Sequence, residues 1–275
     1  PVFVDSGAAD LSMDPEHAKA LVSEKTRVIM PVDPFGQPAD HLSLERLANE
    51  VGVHVVVDAA CALGASRASR RCGSHGDMGC FSFHPRKVVT CGEGGMVTTG
   101  DPVLANQLRL LRNHGARKTS TRAFEFVEAG FNYRLSEIPA AMGISQMRRI
   151  DEIVSDRRMT AARYDSELSS LPGVQILNPP ADAHWSYQSY VVLFDESIDR
   201  DEVMSRMNQE GIETTVGTYA CHQQPAFSKW GYRPGDLPNS DRFANTTLTL
   251  PLIPRMAVSQ VERVVETLSS ILSSF

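Results

Sequence analysis

Val53-His54-Val55-Val56-Val57-Asp58 is a short, largely apolar run that ends in a carboxylate. Its β-branched content reads as a strand. Its nearly unbroken apolar character reads as a strand covered on both faces, as in a parallel sheet. The same rhythm continues outward. Upstream, residues 26–32 form a second apolar strand and residues 42–51 a helix, with Pro34-Phe35-Gly36 as a turn between them. Residues 15–23 form an earlier helix, with Asp14 placed as its N-cap and Pro15 at its first position. Residues 1–5, Pro-Val-Phe-Val-Asp, read as a further strand. Downstream, residues 80–84 and 96–99 are strands on either side of a Gly-rich stretch, and residues 103–113 form a helix. Residues 118–130 lack periodicity and read as an exposed loop. Strands alternating with helices predict an α/β fold with a mostly parallel sheet.

The rhythm changes after a helical region at residues 136–171, which divides into one element ending near Met147 and another carrying Ile150, Ile153 and Met159. Strands follow at 173–177, 186–194 and 212–216. Helices are predicted at 199–210, capped by Asp199, at 241–245, and at 257–272, the last amphipathic. The expected division is a large domain over residues 1–150 and a smaller α+β domain over 151–275.

Composition narrows the function classes. The 27 basic and 33 acidic residues give a net charge of −6, which offers no general attraction to nucleic acid or anionic membrane. No apolar run approaches the ~20 residues of a membrane span. Five cysteines without a CxxC pair argue against a disulfide framework or structural zinc, and a reduced, cytoplasmic setting is expected. The eight histidines show no metal-ligand spacing, so no metal is expected.

Chemistry concentrates in one order of residues: Asp58 at a strand end, Ser82 and Lys87 in F-S-F-H-P-R-K, the cluster Gly92-Glu93-Gly94-Gly95, then Asn132 and Arg134 in G-F-N-Y-R-L-S. Ligands of open α/β sheets bind outside the carboxyl ends of the strands, where Asp58 and Lys87 both fall. Pyridoxal phosphate needs a lysine for its Schiff base and an Asp against its pyridinium nitrogen, and its phosphate takes hydroxyl donors such as Ser82. Singly, each residue is commonplace, since a strand-end Asp is most often a cap and a lone Lys is most often on the surface. The glycine cluster is neither a Walker loop nor a dinucleotide fingerprint.

The joint wording is specific. V-V-V-D-A-A-C-A-L-G-A, G-D-M-G-C-F-S-F-H-P-R-K, G-E-G-G-M-V-T-T, R-N-H-G and G-F-N-Y-R-L-S-E-I-P-A-A-M-G-I-S-Q run in this order. After them come H-W-S-Y-Q-S-Y-V-V, H-Q-Q-P-A-F, L-P-N-S-D-R-F-A and L-P-L-I-P-R-M. Together they resemble the DegT/DnrJ/StrS sugar-nucleotide aminotransferases, of fold type I in the aspartate-aminotransferase-like superfamily, over essentially the whole chain. The resemblance implies a large domain with a mostly parallel sheet and a smaller α+β domain. It also implies pyridoxal 5'-phosphate as cofactor and transfer of an amino group, usually from glutamate, to a keto-sugar nucleotide, for surface glycans or a glycosylated metabolite. Lys87 would be the Schiff-base lysine, Asp58 the partner of the ring nitrogen and Ser82 a phosphate ligand. Asn132 would reach the phosphate of a neighbouring subunit's site in a homodimer. Arg134 and His222 would lie on the substrate side.

Two departures stand out. Cys61 occupies a position where the family usually carries Gln or His against the cofactor ring. The family's phosphate-gripping turn and stacking aromatic belong to a segment before the position of Pro1, so the chain reads as N-terminally truncated, with residues 1–5 as a strand in mid-domain. The alternatives are an inactive or regulatory remnant and a pyridoxal-phosphate enzyme acting on a small amino acid. Family relatives that dehydrate sugars carry His where Lys87 stands.

Overall fold

The computed structural model describes residues 1–121 and 123–275. Helix α1, Pro15–Leu21, starts where the Asp14 carboxylate accepts from the Glu16 and His17 backbone N–H groups. Strand β1, Val28–Ile29, leads through a turn at Pro34–Gly36 to α2, His41–Val51, which Asp40 caps and Gly52 ends in the left-handed region. Strand β2, His54–Asp58, follows. The short β3, Ser66–Arg67, and β4, Arg70–Arg71, precede β5, Met78–Ser82, and β6, Gly95–Thr98. Helix α3 spans Pro102–Leu111, and the hairpin of β7, Ala116–Lys118, and β8, Phe124–Phe126, comes next.

Helix α4, Glu137–Met147, and α5, Ile150–Leu168, lead into the second half. There the order is β9, Val174–Ile176; β10, Ala183–His184; β11, Tyr190–Phe194; α6, Arg200–Gln209; and β12, Thr215–Val216. Helix α7, Pro238–Thr246, runs directly into β13, Thr247–Leu250, and α8, Val258–Leu272, follows.

The first sheet has the order β1-β2-β5-β6, parallel except for the antiparallel β5–β6 edge. Its core joins Ala18, Leu44, Leu47, Ala48, Val55 and Val57. The second sheet, β12-β13-β11-β9, is antiparallel throughout. Helices α5, α6 and α8 cover it. Helix α8 turns Val261, Val264, Val265, Leu268, Ile271 and Leu272 inward at helical spacing, onto Tyr164, Leu168, Val192 and Leu248.

Five readings of the sequence change. Residues 1–5 are not a strand; only Ser6 makes an isolated bridge, to Met13. The cause is a competing partner, because the Asp5 carboxylate accepts from Asn239 N–H (3.0 Å), Ser240 N–H (2.8 Å) and Ser240 Oγ (2.7 Å). Asp5 therefore satisfies the first turn of α7 across the chain, while Phe3 packs edge-on against Phe227 and Tyr232. The strand at 26–32 contracts to β1 plus a bridge from Val32 to Asp58, because Pro31 has no N–H for the ladder. The strand at 186–194 begins only at Tyr190, after Tyr187 takes a left-handed φ of 49°. The loop at 118–130 holds β8, whose hairpin with β7 starts two residues earlier at Ala116, and Arg122 lies outside the described residues. Strand β13 was not expected, because T-L-T-L follows α7 without a turn residue to announce it.

Candidate active site

Strands β2 and β5 run parallel with Asp58 opposite Cys80, so Asp58 and Ser82 emerge at the same carboxyl edge, two residues apart in register. Beyond Asp58 the chain turns sharply, with Asp58 Oδ1 accepting from Ala60 N–H at 3.0 Å. That turn brings Cys61 over the sheet edge. Beyond Ser82, the Ser82 hydroxyl accepts from His84 N–H at 3.3 Å, and Lys87 N–H closes a turn onto the His84 carbonyl at 2.9 Å. The Lys87 amine then donates to Cys61 Sγ at 3.0 Å.

Lys87, Cys61 and Ser82 form part of the wall of a cavity of about 1510 Å³. Phe35 and His84 contribute from the first half of the chain, Gln188, Arg157 and Leu252 from the second. The site therefore lies where the two halves meet. Burial, and after it the neighbouring Asp58 carboxylate, push the Cys80 thiol above its ordinary pKa. Asp58 itself is not part of the cavity wall.

The other sequence candidates sit elsewhere. Asn132 is exposed and bridges Asn113, and Arg134, also exposed, donates to Asn113 Oδ1. Neither lies on the cavity wall. His222 is buried in the second half, its Nε2 2.9 Å from Asp241 Oδ1 and its ring edge-on to Tyr232, away from Lys87.

Sequence reasoning assigned no role to Gln188 or Arg157. Arg157 is 8% exposed and donates to the carbonyls of Leu252 (3.2 Å) and Gln188 (3.4 Å), and burial lowers its pKa. An arginine on a long polar helix carries no mark of such burial. Gln188 lies inside the quoted motif H-W-S-Y-Q-S-Y, which is the one signal that pointed to it.

A primary amine and a hydroxyl on one cavity wall, with a strand-end carboxylate at the same sheet edge, are the donor set that pyridoxal phosphate requires, so the residues present fit that cofactor. Together with the sheet order, they define a pyridoxal-phosphate-dependent transferase. The profile of the DegT/DnrJ/EryC1/StrS aminotransferase family matches residues 1–269, and the chain belongs to that family. It is 35% identical to dTDP-3-amino-3,4,6-trideoxy-alpha-D-glucose transaminase of Streptomyces venezuelae, across 97% of this chain and 69% of that protein. It is 32% identical to the spore coat polysaccharide biosynthesis protein SpsC of Bacillus subtilis, across 98% and 73%. The structure of S. venezuelae DesV, solved in complex with a ketimine intermediate, superposes with a TM-score of 0.91 at 34% identity, over 98% of this chain and 72% of that one. The enzyme is thus a pyridoxal-phosphate-dependent sugar aminotransferase. Among the described residues, no helix is long and apolar enough to cross a membrane.

Proposed function

We propose that this chain moves an amino group from glutamate to a keto-sugar nucleotide, with Lys87 as its reacting amine. One observation carries the reading: the Lys87 amine and the Ser82 hydroxyl share the wall of one cavity at the carboxyl ends of parallel strands, beside Asp58. Pyridoxal phosphate, when bound, supplies an aldehyde and an electron-accepting ring. Asp58 is placed to hold the proton on the ring nitrogen, and Ser82 to donate its hydroxyl to the phosphate. Lys87 would hold the cofactor through its amine and would accept and return a proton at Nζ. Cys61, 3.0 Å from the Lys87 amine, would offer the cofactor ring a weak hydrogen-bond donor.

A cavity of about 1510 Å³ supports a nucleotide-sized substrate over a small amino acid. In the same reading the enzyme works as a homodimer in which Asn132 reaches the phosphate of the partner's site and Arg134 lies near the substrate entrance. Their exposure, beside the stacked rings of Phe131 and Tyr133, supports that arrangement. His222 is buried against Asp241 and stands off the cavity wall, so its substrate-side role has no support from its position. The division into domains falls near Ile150, which opens α5. A cytoplasmic setting fits the five cysteines, all free.

The test is chemical. The chain is incubated with pyridoxal phosphate, reduced with borohydride and mapped by peptide mass. The label is expected on Lys87. A label on Lys25 or Lys118 in its place overturns the assignment.

A further inference from the structure

A lysine side chain has a long flexible stem, so its amine is aimed only if the backbone that carries it is fixed. One side chain holds both flanks of Lys87. Gln188 Oε1 accepts from Val88 N–H at 2.9 Å, and Gln188 Nε2 donates to the Arg86 carbonyl. The amide pairs with the residues immediately before and after Lys87, as an adjacent strand would. At the far end of the same loop, Gln146 of α4 does the same to Thr90, accepting from its N–H at 3.1 Å and donating to its carbonyl.

The backbone that delivers Gln188 is unusual. Tyr187, just before it, has a φ of 49°, a region that an aromatic residue seldom adopts. Facing it, Phe35 has a φ of 57° and Gly36 of 91°. Ser186 N–H donates to the Gly36 carbonyl at 3.1 Å and Ser189 N–H to the Phe35 carbonyl at 3.4 Å. A Cβ on Gly36 would stand 2.6 Å from Ser186 Oγ and 2.9 Å from the Gln188 nitrogen. Left-handed residues on both sides of one contact persist only where the surroundings hold them. Behind the contact, Arg157 binds the Gln188 carbonyl and the Leu252 carbonyl together, so Gln188 is tied to the end of the second sheet.

We propose that Gln188 is a positioning residue for Lys87: its amide, bonded to Arg86 carbonyl and Val88 N–H, fixes the backbone that aims the Lys87 amine into the cavity. This rests on Lys87 being the reacting amine. Through Arg157, the same contact makes the aim of Lys87 depend on the seating of the second half against the first.

Two variants test it. Gln188→Ala removes both bonds. Gln188→Glu keeps the size and the acceptor for Val88 but has no donor for Arg86. In the cofactor-free full chain, hydrogen exchange is followed at the Val88 amide. The rate of Lys87 acylation is followed at one fixed pH by peptide mapping, with exposed Lys25 as internal reference. In the loaded enzyme, kcat and KM are measured separately. For Gln188→Ala, Val88 exchange is expected to quicken by about tenfold or more, and the Lys87 acylation rate to move toward that of Lys25. Its kcat should fall by about tenfold or more, with KM for the amino donor within about twofold. Gln188→Glu should keep Val88 protected yet reproduce the shift at Lys87 and the fall in kcat. A wild-type Lys87 acylation rate and kcat in Gln188→Glu overturns the proposal, as does a loss in Gln188→Ala that lies wholly in KM. If Gln188→Ala does not fold, Gln188→Glu decides alone. Exchange and acylation are read without cofactor, so a borohydride label on another lysine sinks the Lys87 reading separately from this one.

Discussion

At the scale of the residue, the chemistry rests on charges that few side chains can replace. Asp58 ends β2 at the edge where Ser82 and Lys87 emerge, and its Oδ1 is engaged by Ala60 N–H. Asp58→Asn keeps the shape and that turn but removes the charge that would hold a ring proton. Pyridoxal phosphate should still bind, as seen in its visible absorbance, while single-turnover rates with the amino donor fall by about 10²–10³-fold, the scale of losing one preorganised electrostatic partner. Rates near wild type would make Asp58 a turn residue only. These residues were legible in the sequence because they are local: Asp58 to Cys61 is one turn, and Ser82 to Lys87 is another. Gln188 and Arg157 were not, because their roles are contacts across the fold. Gln188 meets Val88 from a hundred positions away, and nothing in the composition around it records that meeting.

At the scale of the element, caps and periodicity made most boundaries readable. Asp14, Asp40, Asp101 and Asp199 each accept backbone N–H groups at the start of a helix. One misreading came where a segment's partner is distant. Residues 1–5 look like a strand, but Asp5 is used as a cap for α7, over 230 positions along the chain. This cap has a measurable signature. Burial raises the Asp5 pKa, but the Ser240 hydroxyl and the Ser240, Asn239 and Ser6 N–H groups outweigh it, and the net shift is downward. A carboxyl whose pKa is lower folded than unfolded stabilises the fold above its unfolded value of about 3.9, and that contribution is lost as pH falls through the folded value. Asp5→Asn should therefore be less stable than wild type at pH 7, by about 0.5–2 kcal/mol. The gap should close as thermal unfolding is followed from about pH 5 down to pH 2. A gap that does not change with pH would remove the charge from the explanation.

At the scale of the molecule, the cavity is built by both halves, yet the residues from G-F-N-Y-R that the sequence nominates stand outside it. Phe131 and Tyr133, 60% and 72% exposed, flank Asn132 in the chain and stack on one another. Apolar surface gathered in one patch around a polar residue is the kind that another chain covers. In the proposed homodimer, Asn132 enters the partner's site and the aromatic pair packs at the seam. A closed two-fold pairing makes this quantitative. Lys87→Ala and Asn132→Ala are each expected to be nearly inactive. When the two proteins are mixed in equal amounts and their subunits exchange, half of the dimers carry one of each. In such a dimer one of the two sites holds both an intact Lys87 and an intact partner Asn132. Activity should then recover to about a quarter of wild type, the product of these two halves. Exchange is followed independently by native mass spectrometry of an isotope-labelled subunit. Full exchange with no recovered activity would place Asn132 outside the partner's site, and a chain that stays monomeric throughout would remove the shared site altogether.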